Sequence, residues 1–186
     1  MKLRLIHIDG NVGVGKSTQA RFLASAIPNS KILKYEGSVD FFNKIDKMLS
    51  EDNDLVLIVD GGMLPSLFKE LASGRSYVEV IEKFTPIMHE YRALQHKYST
   101  ANLLLLLDNA QEVQNRLDKQ KQFNKKVTDP TESSVLDLMK LVNNHTAVSL
   151  TYSILTLDAD DSMVAVFDKI KKELNKFNCN IKDLFT

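Results

Sequence analysis

The sequence has little of several things whose abundance would define a protein class. It contains one cysteine, Cys179, which excludes an internal disulfide framework and favours a reducing compartment. Its 24 Lys and Arg residues balance 24 Asp and Glu residues, so the global basic surface typical of nucleic-acid-binding proteins is excluded. No apolar run is long enough to cross a bilayer, and no targeting segment stands out. We therefore expect a cytoplasmic protein that does not insert into a membrane.

The sequence does contain short apolar runs separated by longer segments of helical character. Its 186 residues suit one compact domain. Apolar runs without polar alternation are typical of strands buried on both faces of a parallel sheet, and helices between them imply an α/β fold with three layers. Apolar residues at helical spacing predict helices over Ser17–Ile27 and Val78–Tyr98. The runs predicted as strands are Leu3–Asp9, Lys31–Tyr35, Leu55–Asp60, Asn102–Asp108 and Tyr152–Asp158.

The strongest motif is a glycine-rich loop directly after the first predicted strand. Its sequence matches G-x-x-x-x-G-K-[ST] at every fixed position. Glycines let the backbone bring its N–H groups against phosphate oxygens, and the next helix adds the positive end of its dipole. In such a loop Lys16 binds the β and γ phosphates and Ser17 ligates magnesium. The residues predicted to bind a nucleoside triphosphate here are Asn11, Val12, Gly13, Val14, Gly15, Lys16, Ser17 and Thr18.

The loop alone does not distinguish a kinase from a GTPase, an ATPase motor or a nucleotide-binding regulator. A GTPase would carry a guanine-binding segment of the Asn-Lys-x-Asp type after a strand, and the sequence has none. Large ATPases need a longer chain. The short chain and its late lysine-rich stretch favour a kinase of small metabolites.

Other candidate residues lie at strand ends and in that lysine-rich stretch. Asp60 ends the third predicted strand, where it can hold magnesium through water or simply begin the Gly61-Gly62 turn. Residues 118–130 are polar, and we expect a mobile lid there that closes over the triphosphate. A solvated charged face is the alternative. The lid lysines are Lys119, Lys121, Lys125 and Lys126. His7, inside the first strand, is predicted to be a core residue.

Taken in order, these features resemble the deoxynucleoside kinase and thymidylate kinase superfamily. The segment from Ile8 to Thr18 is similar to the family's first strand and phosphate loop, where an acidic residue precedes the loop and Asn follows its first glycine. A weaker similarity extends along nearly the whole chain. The resemblance implies one P-loop kinase domain over residues 1–186, with a five-stranded parallel sheet of order 2-3-1-4-5. It also implies ATP as the phosphoryl donor and Mg²⁺ as its metal.

The resemblance assigns roles to individual residues. Glu36 is similar to the Glu that these kinases place near the acceptor 5′-hydroxyl, although an ordinary solvent-facing role is the alternative. Arg116 precedes the lid and is a candidate for stabilising the transition state. Asp158 and Ala159 follow the last strand, whose loop packs against adenine in the family. The residues expected to be catalytic are Lys16, Glu36, Asp60 and Arg116.

The acceptor half departs from the family pattern. Gly61-Gly62 follows Asp60 where the family carries an arginine, and Arg75 and Arg92 are candidate substitutes. For Arg92, which lies among polar helix positions, a surface ion pair is the alternative. The lid carries lysines, which cannot make the bidentate fork of arginine with phosphate. The interval from Glu36 to Asp60 is short for the long helix that holds the acceptor base in these kinases.

We therefore expect an ATP- and magnesium-dependent kinase whose acceptor is a deoxynucleoside or nucleotide. Two alternatives stay open. One is a kinase acting on a base or terminus of a nucleic acid, which would suit a more open cleft. The other is a non-catalytic nucleotide-binding protein, which the Gly61-Gly62 pair favours. A homodimer also stays open.

Overall fold

Strands and helices alternate along the chain. A computed structural model describes residues 2–11, 13–107, 109–123 and 153–177. The strands are β1 (Leu5–Gly10), β2 (Ser30–Lys34), β3 (Val56–Asp60), β4 (Thr100–Leu107) and β5 (Ser153–Leu157). The helices are α1 (Lys16–Ala26), α2 (Val39–Glu51), α3 (Met63–Ala72), α4 (Tyr77–Lys97), α5 (Ala110–Phe123) and α6 (Met163–Leu174), and α6 runs into a 3-10 helix, Asn175–Phe177.

The strands form one parallel sheet in the order β2-β3-β1-β4-β5, which confirms the predicted topology. β1 is central. Its Ile8 pairs with Asp60 of β3, and its Gly10 pairs with Leu105 of β4. The carboxyl ends of β1 and β3 therefore lie side by side, so the phosphate loop and Asp60 leave the sheet at the same edge. Ligands bind at this edge in open α/β sheets.

The two faces of β1 pack against different layers, because successive side chains of a strand point to opposite faces. Ile6 and Ile8 belong to an apolar cluster that includes Leu23 of α1 and Ile170 of α6. Leu5 belongs to a second cluster, formed with residues of α2 and α4. Full burial of each such aliphatic side chain contributes about 1.5–3 kcal/mol, so both layers hold the central strand in place.

Helices α2, α4 and α6 begin at side-chain caps. Ser38 Oγ accepts a hydrogen bond from Phe41 N at the start of α2, and Ser162 does the same for α6. α4 begins with a reciprocal capping box between Ser76 and Glu79. Each such cap stabilises a helix start by about 1 kcal/mol. Within the described ranges, no helix is long and apolar enough to cross a membrane.

Two segments differ from the sequence-based expectation. The interval from Glu36 to Asp60, which looked short for a helix that faces the acceptor, carries the 13 residues of α2. α5 continues to Phe123, so the first residues of the predicted lid are helical. Residues 124–130 of that lid, with Lys125 and Lys126, lie outside the described residues.

Candidate active site

The phosphate loop begins where β1 ends, and its backbone requires glycine at specific points. Gly10 has φ 148°, and a Cβ there would lie 2.2 Å from the carbonyl oxygen of Leu105. Gly15, the residue before α1, has φ 94°. Its carbonyl accepts hydrogen bonds from Thr18 N and Gln19 N, both at 3.0 Å. The loop therefore curves tightly and delivers the chain into the first turn of α1.

The side chain of Lys16 lies against the main chain of the loop. Its Nζ donates to the carbonyl oxygens of Gly10 at 2.8 Å and Asn11 at 2.9 Å. In the described part of the chain, no side chain caps the N-terminus of α1, whose first turn contains no acidic residue. Ser17 is exposed on that turn. An ammonium group and uncapped helix N–H groups beside one loop favour an anion.

Two predicted nucleotide-binding residues have structural contacts. The buried Asn11 accepts from Leu107 N at 3.0 Å through Oδ1, which ties the loop to the end of β4. Val14 is buried in the apolar cluster behind the loop, and Thr18 is half-buried. A loop of this kind binds phosphate through its backbone N–H groups, so the side chains of Asn11 and Val14 are free to support the loop. Val12 lies outside the described residues.

Arg116 joins three segments beside the loop. Its Nη1 donates to Gly13 O and its Nη2 to Ala159 O, each at 3.3 Å, while Nε donates to Glu112 at 2.7 Å. The hydrogen bond from Arg116 lowers the pKa of the Glu112 carboxyl. The structure thus brings together the predicted residues Gly13, Arg116 and Ala159, which the sequence separates widely.

The remaining predicted donor-side residues are on the surface. Asp158 is largely exposed, with its carboxylate 3.4 Å from Lys169. Lys119 is exposed on α5, and the side chain of Lys121 lies outside the described residues. These positions leave Lys119 and Asp158 accessible to a ligand.

Two predicted acceptor-side residues, Asp60 and Glu36, lie at the ends of the neighbouring strands β3 and β2. Asp60 is half-buried, and its carbonyl accepts from Tyr35 N at 3.0 Å. Glu36, the residue after Tyr35, is exposed and forms an ion pair with Lys44 at 3.8 Å. Arg75 pairs with Glu70 at 2.8 Å, and Arg92 is exposed on α4.

The residues present are compatible with a magnesium nucleotide. Among the described residues, no three His, Cys, Asp or Glu side chains converge as a metal-binding group. Mg²⁺ at phosphate-transfer sites usually takes one or two protein oxygens, with phosphate and water completing the octahedron. Ser17 at the start of α1 and Asp60 at the end of β3 are oxygen donors of that kind.

Asp9 is a site residue that the sequence analysis did not single out. It is fully buried at the end of β1. Its Oδ1 accepts from Gly10 N at 2.7 Å, and its Oδ2 accepts from Leu64 N of α3 at 3.2 Å. Burial raises the pKa of this carboxyl to about 6, against the opposing effect of the Lys16 charge and these backbone hydrogen bonds. The available signal was an acidic residue directly before the loop.

His7 and two tyrosines form a buried polar group on the same face as Asp9. The His7 ring lies 6.1 Å from the Tyr35 ring and 5.1 Å from the Tyr91 ring, centroid to centroid. Within the described residues, neither ring nitrogen of His7 nor the Tyr35 hydroxyl has a hydrogen-bond partner. Burial lowers the pKa of His7 to about 3. His7 is therefore a core residue, as predicted, but its environment does not satisfy its polar atoms.

Tyr91, a member of this polar group, interacts electrostatically with Asp9. Its hydroxyl donates to Asn102 Oδ1. Burial raises the pKa of Tyr91 well above its usual range, and the Asp9 charge raises it further. The same two causes raise the pKa of Tyr35. The carboxyl edge of β1 thus carries a phosphate loop and, beside it, a buried set of titratable groups.

Comparisons with known proteins reveal similarity at the level of structure alone. No protein-family model matches the sequence, and no curated protein matches it. Thymidylate kinase from Candida albicans aligns with TM-score 0.57 and 15% identity, covering 95% of this chain and 93% of that protein. Deoxyadenosine kinase from M. mycoides, solved with bound dCTP, aligns with TM-score 0.56 and 14% identity over 92% and 99% of the two chains.

A third similar structure is a polyphosphate kinase. Polyphosphate kinase 2 from Arthrobacter aurescens TC1 aligns with TM-score 0.58 and 10% identity, covering 95% of this chain and 68% of that protein. All three are kinases, and at 10–15% identity the likeness is one of fold. The sheet order, the loop at the end of β1 and these alignments together show that the chain has the P-loop kinase fold.

Proposed function

We propose that the chain is an ATP- and magnesium-dependent kinase that transfers the γ-phosphoryl group to a deoxynucleoside or nucleotide. The observation that carries this proposal is the complete phosphate loop at the end of the central strand. Its ammonium group, Lys16 Nζ, lies 2.8 and 2.9 Å from two loop carbonyl oxygens. A triphosphate would replace these neutral oxygens with charged ones, which adds the attraction between opposite charges to the hydrogen bonds of the ammonium group.

The donor half has one role for each group. The loop N–H groups and the start of α1 bind the β and γ phosphates, and Lys16 neutralises charge between them. Arg116 holds Gly13 of the loop against Ala159, so the segment after β5 lies at the donor side, where it can contact the base. Ser17 and Asp60 would hold Mg²⁺, which when bound neutralises charge on the phosphates.

The acceptor half must place a hydroxyl oxygen in line with the γ-phosphorus. That oxygen forms a bond to phosphorus as the bond to the β–γ bridging oxygen breaks, and ADP leaves. Glu36 takes or positions the proton of the hydroxyl, provided that it lies within about 2.6–3.2 Å of it. Glu36 is a candidate for this role because it is exposed and directly follows Tyr35, whose N–H donates to the Asp60 carbonyl. Lys119 and Lys121 would stabilise the charge that develops on the phosphoryl oxygens.

The test of donor binding is a calorimetric titration with MgCl₂ and a non-hydrolysable ATP analogue. Lys16→Ala is expected to weaken binding on the order of a hundredfold, equivalent to roughly 3 kcal/mol. Lys31→Ala, which removes an exposed lysine from the edge strand β2, is the matched control and should bind like the wild type. Equal affinity for the two variants would contradict the assignment of the loop.

A second candidate function, a nucleotide-binding protein without transferase activity, is supported by the glycine pair after Asp60 and by the Glu36–Lys44 ion pair. The two functions differ in turnover. A kinase should convert labelled ATP into a phosphorylated acceptor from a panel of deoxynucleosides, nucleoside monophosphates and oligonucleotides with free 5′-hydroxyls. A binding protein would bind the analogue and transfer nothing, and slow hydrolysis would be its only turnover. Transfer to oligonucleotides alone would favour the nucleic-acid acceptor.

A further inference from the structure

The carboxylate of Asp9 is a direct link between two elements with different tasks. Oδ1 accepts from Gly10 N, the first residue of the phosphate loop, at 2.7 Å. Oδ2 accepts from Leu64 N, in the first turn of α3, at 3.2 Å. The side chain is fully buried, so no solvent competes for either bond. A carboxylate at a helix N-terminus also interacts favourably with the helix dipole. The start of α3 is therefore held by the strand that carries the loop.

Gly62 supplies the space that this link needs. A Cβ at Gly62 would lie 2.1 Å from Asp9 Oδ2 and 2.4 Å from Asp9 Cγ. Gly62 does not have a positive φ, so the glycine is required for space and not for backbone conformation. One half of the Gly61-Gly62 pair thus has a structural reason that is independent of any loss of the acceptor motif.

The titratable groups that interact with Asp9 come from both halves of the site. The Lys16 ammonium acts on Asp9 from the loop side. Tyr35, after β2, and Tyr91, on α4, face it from the acceptor side, and the charge of Asp9 affects the pKa of both hydroxyls. His7 lies two residues before it on the same face of β1. A ligand that draws Lys16 towards its phosphates changes the field at Asp9 and the position of Gly10 N.

From this geometry we infer that Asp9 is a positioning residue that couples occupation of the phosphate loop to the placement of α3 and of the Asp60–Gly62 turn before it. The inference rests on the proposed function for its ligand, a magnesium nucleoside triphosphate. In this scheme the donor, once bound, adjusts the loop, the loop adjusts Asp9, and Asp9 adjusts the first turn of α3. The acceptor side then closes only around a loaded donor site.

The test is amide hydrogen exchange of the loop and of the first turn of α3, with and without MgCl₂ and a non-hydrolysable ATP analogue. In the wild type we expect the analogue to slow exchange about tenfold in both segments. In Asp9→Asn, which keeps the shape of the side chain, the loop should still be protected while the response of α3 disappears. Gly62→Ala should do the same by steric exclusion and keeps the Asp9 charge.

Ser73→Ala is the matched control, because it changes an exposed side chain just beyond the other end of α3 and leaves Asp9 and Gly62 unchanged. Its α3 response should equal that of the wild type. An α3 response in Asp9→Asn and Gly62→Ala as large as in the wild type would overturn the inference, as would a protected loop with an unresponsive α3 in the wild type. If the analogue protected neither segment, the proposed function would fail as well. Should Asp9→Asn not fold, Gly62→Ala and the wild type decide.

Discussion

The two faces of β1 differ in a way that separates folding from function. Ile6 and Ile8 face α1 and α6 in an apolar cluster. On the opposite face, Leu5 is followed by His7 and Asp9, which are equally buried but polar and titratable. Both faces hold the strand in the sheet. Only one of them uses side chains that a stable core does not need.

The buried polar groups on this face of β1 reduce the stability of the fold, and their presence therefore points to a role in function. A buried polar group without a hydrogen bond costs about 1–3 kcal/mol in proteins, and most native structures avoid it. Here the His7 ring and the Tyr35 hydroxyl remain without partners among the described residues, beside a carboxylate whose pKa burial has raised. Groups of this kind concentrate at functional sites. The comparison therefore favours this face for the proposed acceptor site, with the apolar face as its support.

The largest expected effect concerns the dependence of stability on pH at His7. Its pKa of about 3 in the fold, below an ordinary 6.5, means that the unfolded chain gains the proton first as pH falls. The contribution of His7 to stability is complete above pH 6.5 and is lost between pH 6.5 and 3, by about 1.4 kcal/mol per unit and about 5 kcal/mol in all. His7→Phe should remove this loss and raise stability throughout the interval.

Urea unfolding at pH 6.5, 5.5 and 4.5 measures the difference between wild type and His7→Phe. Asp9 acts in the opposite sense: with a raised pKa of about 6, its contribution is present below pH 3.8 and is lost as pH rises to about 6. Because both proteins contain Asp9, its contribution cancels in the difference between their free energies of unfolding, and the contribution of His7 remains. His96→Gln, at an exposed position of α4, is the control. A constant difference at all three pH values would show that His7 is not buried in its neutral form.

Truncation on the apolar face should give a loss that does not depend on pH. Ile8→Ala removes a fully buried side chain between α1 and α6, and we expect a loss of about 3 kcal/mol in the free energy of unfolding. Ile32→Ala, on the edge strand β2 where the side chain is 39% exposed, should cost less than about 1.5 kcal/mol. Equal losses would contradict the position of β1 at the centre of the sheet.

A smaller effect separates buried from exposed hydrogen bonds of the tyrosines. Tyr91→Phe removes a hydroxyl that donates to Asn102 inside the polar face, with an expected loss of about 1.5 kcal/mol. Tyr98→Phe removes a hydroxyl that donates to the partly exposed carboxylate of Asp46, where solvent screening reduces the expected loss to about 0.5 kcal/mol. Thermal unfolding of both variants at one pH gives the comparison. The opposite order would show that the polar face contributes no cohesion of its own.

The smallest effect concerns Arg116, on the donor side. Arg116→Ala removes its bonds to Gly13 and Ala159, so the loop and the segment after β5 lose a common support. We expect about tenfold weaker nucleotide binding, equivalent to about 1.4 kcal/mol, in the calorimetric titration. Arg21→Ala, at an exposed position of α1, should leave binding unchanged. Unchanged binding in Arg116→Ala would reduce this residue to a support of α5.

The parts of the fold that are encoded locally could be predicted from the sequence. The runs that became β1, β3 and β4 are continuous and apolar, so periodicity identified them, and the phosphate loop has fixed spacing. The boundary of α5 could not be predicted, because its polar last turn looks like a loop in sequence. Asp9 escaped notice for another reason. Its role depends on Leu64 and Gly62, which only the folded chain brings to it.

The reading of Gly61-Gly62 shows the same limit. In the sequence, the pair stands where the family carries an arginine, so it looks like the loss of that residue. A glycine in a sequence does not indicate which side chain occupies the space beside it. In the structure that space at Gly62 belongs to Asp9. Glycine positions of this kind are explained by neighbours distant in sequence, which no local pattern records.

The central position of β1 also has a consequence for how the chain is made. β1 pairs with β3 on one side and with β4 on the other, and β4 ends only at Leu107. During synthesis, the interval between Gly10 and Leu107 takes on the order of ten seconds. For that time the apolar strand at the start of the chain has no complete sheet to join. A ribosome stalled before β4 should therefore leave one edge of β1 unpaired, and unpaired strand edges promote aggregation.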